Sequence, residues 1–127
     1  LCVAPTPAAF EEVRQRMDGL TSPDPEVRLE VEAGPVRPLF QAHEATLELF
    51  EVARRVAGEI GLDLDHGQFG GGSDGNFTGA LGLPTLDGLG VRGDGAHTKG
   101  EYLEVSSLRP RARLLAGLYE ELSKRNR

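Results

Sequence analysis

Three histidines, an Arg-Pro step and two glycine loops hold the side chains of this sequence that could do chemistry. His97 has the most telling setting. It lies in Gly93-Asp94-Gly95-Ala96-His97-Thr98-Lys99-Gly100-Glu101-Tyr102, a glycine-flanked loop expected just after a strand, where α/β proteins place ligands. An imidazole there could ligate a metal or move a proton, yet a lone histidine does not define a metal site, which needs several ligands. His43 stands at an expected helix start beside Glu44, and a solvated helix-end residue is the plainer reading. His66 follows a short expected strand and reads as a partly buried, hydrogen-bonded histidine. Gly70-Gly71-Gly72-Ser73-Asp74 precedes a helical turn, where glycines let backbone amides approach an anion closely. The loop lacks the Gly-Lys-Ser ending of a nucleotide P-loop and the GxGxxG spacing of a dinucleotide site, which argues against nucleotide binding. Asp74 stays open between capping the helix, bracing the loop and acting in catalysis. Arg37, before Pro38, could make a forked pair with a carboxylate or remain a surface charge. Asn76-Phe77-Thr78 has the N-glycosylation spacing, but it falls in an expected helix of a chain without secretory features.

The elements that must position these residues follow from periodicity and punctuation. Thr6-Pro7 starts a helix, with a hydroxyl to cap and a proline at the first position. Phe10, Val13, Met17 and Leu20 recur at helical spacing, and Gly19 is placed for a left-handed residue past the end. Ser22-Pro23-Asp24-Pro25 is a turn, after which Val27, Leu29 and Val31 alternate with charged residues as a strand does. Ala33-Gly34-Pro35 breaks that pattern and is the best domain boundary. From about Ala45 to Ile60 a broad apolar stripe of Leu47, Phe50, Val52, Ala53, Val56, Ala57 and Ile60 predicts a well-buried helix ended by Gly61. Leu62 to Asp65 reads as a short strand, Asn76 to Leu81 as a helical turn, and Pro84 to Leu89 as another strand. A last helix runs from about Ser107 to Leu122, with Leu108, Leu115, Leu118 and Leu122 on one face, Ser107 as its cap and Pro110 in its first turn. The alternation of helices and strands from Ala45 onward is that of an α/β layer protein.

Composition narrows the partners. A formal charge of -6 with both signs interspersed offers no basic face for a phosphate backbone, so nucleic acid is not an expected partner. No apolar run is long enough to cross a bilayer and no signal-peptide pattern opens the chain, so no membrane partner is expected and a cytoplasmic location is. The lone cysteine, Cys2, has no partner for an internal disulfide, in keeping with a reducing compartment. Leu1-Cys2-Val3 reads as the tail of a strand that began earlier, which makes the chain look cut.

Gly70-Gly71-Gly72-Ser73-Asp74-Gly75-Asn76-Phe77, Leu83-Pro84-Thr85-Leu86-Asp87-Gly88-Leu89-Gly90 and Gly95-Ala96-His97-Thr98 with Glu101-Tyr102 resemble the closing third of a zinc metallopeptidase family. That family holds glutamate carboxypeptidases, aminoacylases, acetylornithine deacetylases and succinyl-diaminopimelate desuccinylases. Each motif alone is loose; the order of all three, with Arg37-Pro38 upstream, is specific. The resemblance implies an α/β fold, the C-terminal part of a zinc-peptidase-like catalytic domain over residues 35–127, preceded over residues 1–34 by the last helix and strand of an α+β lid and dimerisation domain. It implies that His97 is the last ligand of a two-zinc site, that Arg37 grips the substrate's terminal carboxylate, and that Gly72 contacts substrate through its backbone. Asp74 and Glu101 match recurrent family positions and are assigned to holding loops in place. Lys99-Gly100 departs from the family's more usual wording.

The resemblance also implies what is missing. The family's first histidine, bridging aspartate, catalytic glutamate and remaining acidic ligand all precede the lid, and nothing in this sequence matches them, so no catalytic residue is assigned within the chain. The parent is expected to be a homodimeric carboxypeptidase of the glutamate carboxypeptidase type, cleaving an amide or peptide bond beside a free carboxylate in a small molecule or dipeptide. The chain alone is expected to be inactive. An N-acyl amino acid deacylase, of the acetylornithine deacetylase or desuccinylase kind, and a non-catalytic dimerisation module are the alternative readings.

Overall fold

The structure, a computed structural model, describes residues 4–32, 34 and 36–125. Packing divides the chain into two compact units, Leu1–Gln41 with Gln68–Gly82 and Ala42–Gly67 with Leu83–Arg127. Of the expected break at Ala33-Gly34-Pro35 only Gly34 is among the described residues. The strand tail expected at Leu1-Cys2-Val3 lies outside the described residues.

In the first unit, α1 (Pro7–Asp18) starts as its sequence predicts: Thr6 has extended backbone, its hydroxyl accepts from the Ala9 N–H at 3.1 Å, and Pro7 occupies the first position. Gly19 departs from expectation. Its φ is -88°, so the helix ends without a left-handed residue, through N–H bonds from Gly19 to the Gln15 carbonyl and from Leu20 to the Met17 carbonyl. No α1 residue is buried. What supports the helix locally is a run of ion pairs, Arg14 to Glu11 at 2.8 Å and to Asp18 at 2.9 Å, and Arg16 to Glu12 at 2.6 Å. The hydrogen bond from Arg14 holds the Glu11 carboxyl below its usual range.

The turn after α1 closes as read, with the Ser22 hydroxyl accepting from the Asp24 N–H and the Asp24 carboxylate from the Glu26 N–H. The strand expected over Val27–Val31 is absent. Arg28 pairs with Glu30 two residues on, as neighbours on one side of an extended chain do, but no ladder forms there. The segments 62–65 and 84–89, also expected as strands, form none either. An extended segment becomes a strand only when a second segment offers its own donors and acceptors, and the described residues supply one such pairing. That pairing is antiparallel, β1 (Gly93–Asp94) with β2 (Tyr102–Leu103), in the register Gly93 to Leu103 and Asp94 to Tyr102.

The core lies in the second unit, between α2 (Glu44–Glu59) and α4 (Val105–Arg125), with the six-residue α3 (Gly75–Ala80) belonging to the first. Val52, Ala53, Val56 and Ala57 of α2 bury against Leu114 and Leu118 of α4, the i, i+3, i+4 spacing of one helical face. Ile60, Leu62, Leu64, Leu86 and Leu89 pack on this cluster. Leu62 and Leu64 therefore keep the inward positions that their alternation with exposed Asp63 and Asp65 predicts, without a ladder. Leu47 and Leu108, expected on the buried faces, are 41% and 45% exposed, and Leu114 takes the central place instead.

The start of α4 also differs from expectation. The helix begins at Val105, which puts Ser107 inside its first turn and Pro110 just beyond that turn. The Ser107 hydroxyl donates to the Glu104 carbonyl at 2.6 Å and accepts from the Arg92 N–H at 2.9 Å, tying helix to hairpin rather than capping. A guanidinium from Arg55 of α2 bonds Glu121 of α4 at 2.9 Å and holds that carboxyl below its usual range. Its share of the helix pairing is complete above the ordinary carboxylate range and is lost as the pH falls through the lowered value.

Leu114 has no exposed surface and sits at the centre of the cluster. Leu114→Ala should cost about 2–5 kcal/mol of stability, measured as a fall in the urea midpoint. An unchanged midpoint would mean that α2 and α4 do not share this core.

Candidate carboxylate grip and metal-ligand loop

Arg37, Gly72 and Asp74 come together in the first unit, although 35 residues separate the first two. The Arg37 side chain lies across Gly72: a Cβ built on that glycine would stand 3.1 Å from Arg37 Cδ and 3.5 Å from Nε. A bare Cα is what lets the stem lie so close. One guanidinium nitrogen, Nη1, reaches Asp74 Oδ1 at 3.4 Å, with the two side chains 50% and 98% exposed. So long and exposed a contact contributes at most about 1 kcal/mol. Among the described residues Arg37 has no other side-chain hydrogen bond, which leaves donors for a second carboxylate.

The loop itself is built by Ser73 and Asn76. Asp74 occupies the N-cap position of α3 but makes no capping bond, so its carboxylate does not cap the helix. The Ser73 hydroxyl accepts from the Gly75 N–H at 3.1 Å instead. Asn76 Oδ1 accepts from the Ser73 N–H at 2.9 Å, and its Nδ2 donates to the Pro38 carbonyl at 2.8 Å. Two residues beyond Pro38, the Phe40 ring covers Gly79, where a Cβ would come within 2.0 Å of the ring. The segment that carries Arg37 is thus pinned to α3 at two points. Periodicity gave no sign of Asn76 in this role, because one of its partners lies 38 residues away and the local pattern reads as a glycosylation triplet.

His97 and Glu101 lie in the second unit, on the loop joining β1 to β2. The Thr98 N–H bonds the Gly95 carbonyl at 3.0 Å, making His97 the third residue of a four-residue turn, and its φ is 66°. With the positive φ on that residue, the turn is of type II, where glycine or asparagine is usual. A left-handed conformation costs an L-residue such as histidine about 1–2 kcal/mol. The turn is held by the Thr98 hydroxyl donating to the Gly95 carbonyl at 2.7 Å and by Asp94 Oδ1 accepting from the Gly95 N–H. A second turn follows at once, closed by the Glu101 N–H on the Thr98 carbonyl at 3.2 Å. The His97 imidazole is exposed and has no hydrogen-bond partner among the described residues.

The other two histidines serve local structure. His43 precedes α2 without capping it, its Nε2 standing 3.4 Å from Thr46 Oγ1. His66 was expected to be partly buried, yet it is exposed and lies edge-on to Phe50 with ring centroids 4.7 Å apart. Among the described residues, no group of three or more His, Cys, Asp or Glu side chains could hold a metal ion. One imidazole falls short of a zinc site, which takes three protein ligands even when catalytic.

The chain belongs to the peptidase family M20/M25/M40, whose model matches residues 5–121. It is similar to an uncharacterized protein, YqjE, of Bacillus subtilis (strain 168), with 32% identity over 117 residues, 92% of this chain and 29% of that protein. It is also similar to carboxypeptidase G2 of Pseudomonas sp. (strain RS-16), with 29% identity over 120 residues, 91% of this chain and 28% of that enzyme. The chain therefore spans less than a third of the length of these curated relatives. No solved structure matches it. No helix of the described residues is long and apolar enough to cross a membrane.

If the His97 backbone is left-handed, glycine should suit it better than any other replacement. His97→Gly should be more stable than His97→Ala by about 1 kcal/mol in denaturant titrations. Equal stabilities, or a more stable alanine variant, would place His97 outside the left-handed region.

Proposed function

We propose that this chain is part of a zinc-dependent hydrolase that cleaves an amide or peptide bond beside a free carboxylate, of the glutamate carboxypeptidase type, and that it is inactive alone. The observation that carries this reading is the placement of Arg37 across Gly72, with one nitrogen turned to Asp74 and the remaining donors uncommitted. A guanidinium so held presents the planar fork that pairs with a carboxylate through two parallel hydrogen bonds. Membership of a peptidase family and likeness to a protein named carboxypeptidase G2 support the same substrate class.

In this reading His97 supplies one ligand of a metal centre, carried on a strained turn. The residues present do not make that centre, since among those described no second or third ligand joins His97. Arg37 and Gly72 fix the substrate's carboxylate and so set which bond is offered for cleavage, while Asp74 and Glu101 belong to the supports of the two loops. Homodimer formation through the segment after α1 is part of the proposal; the exposure of Val27 and Leu29, at 54% and 47%, supports it. So is a cytoplasmic location.

Two measurements test the reading. The purified 127-residue chain with added zinc should hydrolyse neither N-acyl glutamates nor dipeptides, because among the described residues no second or third ligand joins His97; chelator-sensitive turnover would overturn this. In the intact protein, Arg37→Lys should lower kcat/KM for substrates with a free carboxylate by about ten- to a thousandfold, since lysine cannot reproduce the fork. Unchanged kinetics would remove Arg37 from the site.

A further inference from the structure

We propose that Asn76 is the positioning residue of the carboxylate grip, setting the register of Arg37 over Gly72, an inference that rests on the carboxylate reading above. Its amide spans two segments: Oδ1 accepts the Ser73 N–H at 2.9 Å and Nδ2 donates to the Pro38 carbonyl at 2.8 Å. Only this orientation of the amide satisfies both partners, since the opposite one would set donor against donor and acceptor against acceptor. Pro38 is the residue after Arg37, and Ser73 is the residue between Gly72 and Asp74. One side chain therefore ties the backbone that launches the guanidinium to the loop that receives it.

Asp74 is too weak to do this. Its contact with Arg37 is 3.4 Å long, and its side chain is 98% exposed, where solvent screens an ion pair to little effect. The Asn76 bonds are part-buried and of ordinary length, and losing a partner in such a setting leaves a polar backbone group unmet. The Phe40 contact on Gly79 holds the segment to α3, but an apolar contact tolerates sliding that a pair of directional bonds does not. Arg37 Cδ lies so close to Gly72 that a shift of the Pro38 backbone by a fraction of an ångström changes where the fork points. Such misplacement weakens binding through paired hydrogen bonds more than it alters the chemical step.

The experiment uses the intact protein and compares two forms of one substrate, an N-acyl amino acid or dipeptide with its carboxylate free and the same molecule as its carboxamide. Asn76→Asp keeps the acceptor for Ser73 but sets an oxygen against the Pro38 carbonyl. It should raise KM for the free carboxylate about ten- to a hundredfold with little change in kcat, and leave KM for the carboxamide where it was. Combined with Arg37→Gln, it should add nothing to the effect of Arg37→Gln alone, because both remove the same interaction. Asn76→Gln, with both amide atoms one methylene further out, should fall between wild type and Asn76→Asp, and carries the comparison if Asn76→Asp does not fold. Equal KM changes for the two substrates, no KM change, or effects that add to those of Arg37→Gln would overturn the proposal while leaving the grip intact. If Arg37→Gln itself leaves KM for the carboxylate unchanged, the carboxylate reading fails, and this inference with it.

Discussion

Each backbone donor and acceptor has to find a partner, in the chain or in water, and in this protein that requirement decides which parts of the sequence become regular structure. Helices meet it internally. The segments from Pro7, Glu44 and Val105 each close their own ladders and appear where periodicity places them. Extended segments need a second chain segment, and Val27–Val31, Leu62–Asp65 and Pro84–Leu89 have the pattern of strands without a ladder to join. The same requirement shapes the site, where one asparagine meets an amide of the glycine loop and a carbonyl of the arginine segment.

The two candidate groups are fixed in different ways, each within its own unit. At Arg37 the constraint is between segments: the stem is placed by what pins residues 38–40 to α3, and the guanidinium is left with donors to spare. At His97 the constraint is local, in a turn whose third residue has a φ of 66° and whose bonds come from residues 94 to 101. A histidine in a position that favours glycine is a stored cost, and it fixes the direction of the Cα–Cβ bond while the exposed ring has no hydrogen bond among the described residues to orient it. In the proposed role as a metal ligand, the ring's orientation has to come from a hydrogen bond on its second nitrogen.

Much of this was legible in the sequence, and the parts that were not have physical reasons. The Thr6-Pro7 start, the buried face of the helix from Glu44 and the inward Leu62 and Leu64 follow from local pattern. Helix ends were less legible. Gly19 can take any φ and takes -88°, and Ser107 has cap chemistry but is drawn into the helix because its hydroxyl finds Arg92 and Glu104. Arg37 and Gly72 were named from motifs, whereas their contact depends on packing between distant segments that no periodicity encodes. Asn76 shows the limit most clearly, since its neighbours suggest a modification triplet while its two bonds make it part of the loop's frame.

Exposure sets a ceiling on what the grip can do by itself. The Arg37 side chain is half-exposed, and in that setting an ion pair with a carboxylate contributes at most about 1 kcal/mol. The tenfold to thousandfold selectivity expected of a substrate clamp corresponds to about 1.4–4 kcal/mol, which charge-assisted bonds reach when water is kept away. In the proposed role, the geometry at Arg37 is preset within the chain, while its strength depends on water being kept away from the carboxylate. In the proposed metal role, a solitary imidazole binds tightly only when further ligands are brought to it.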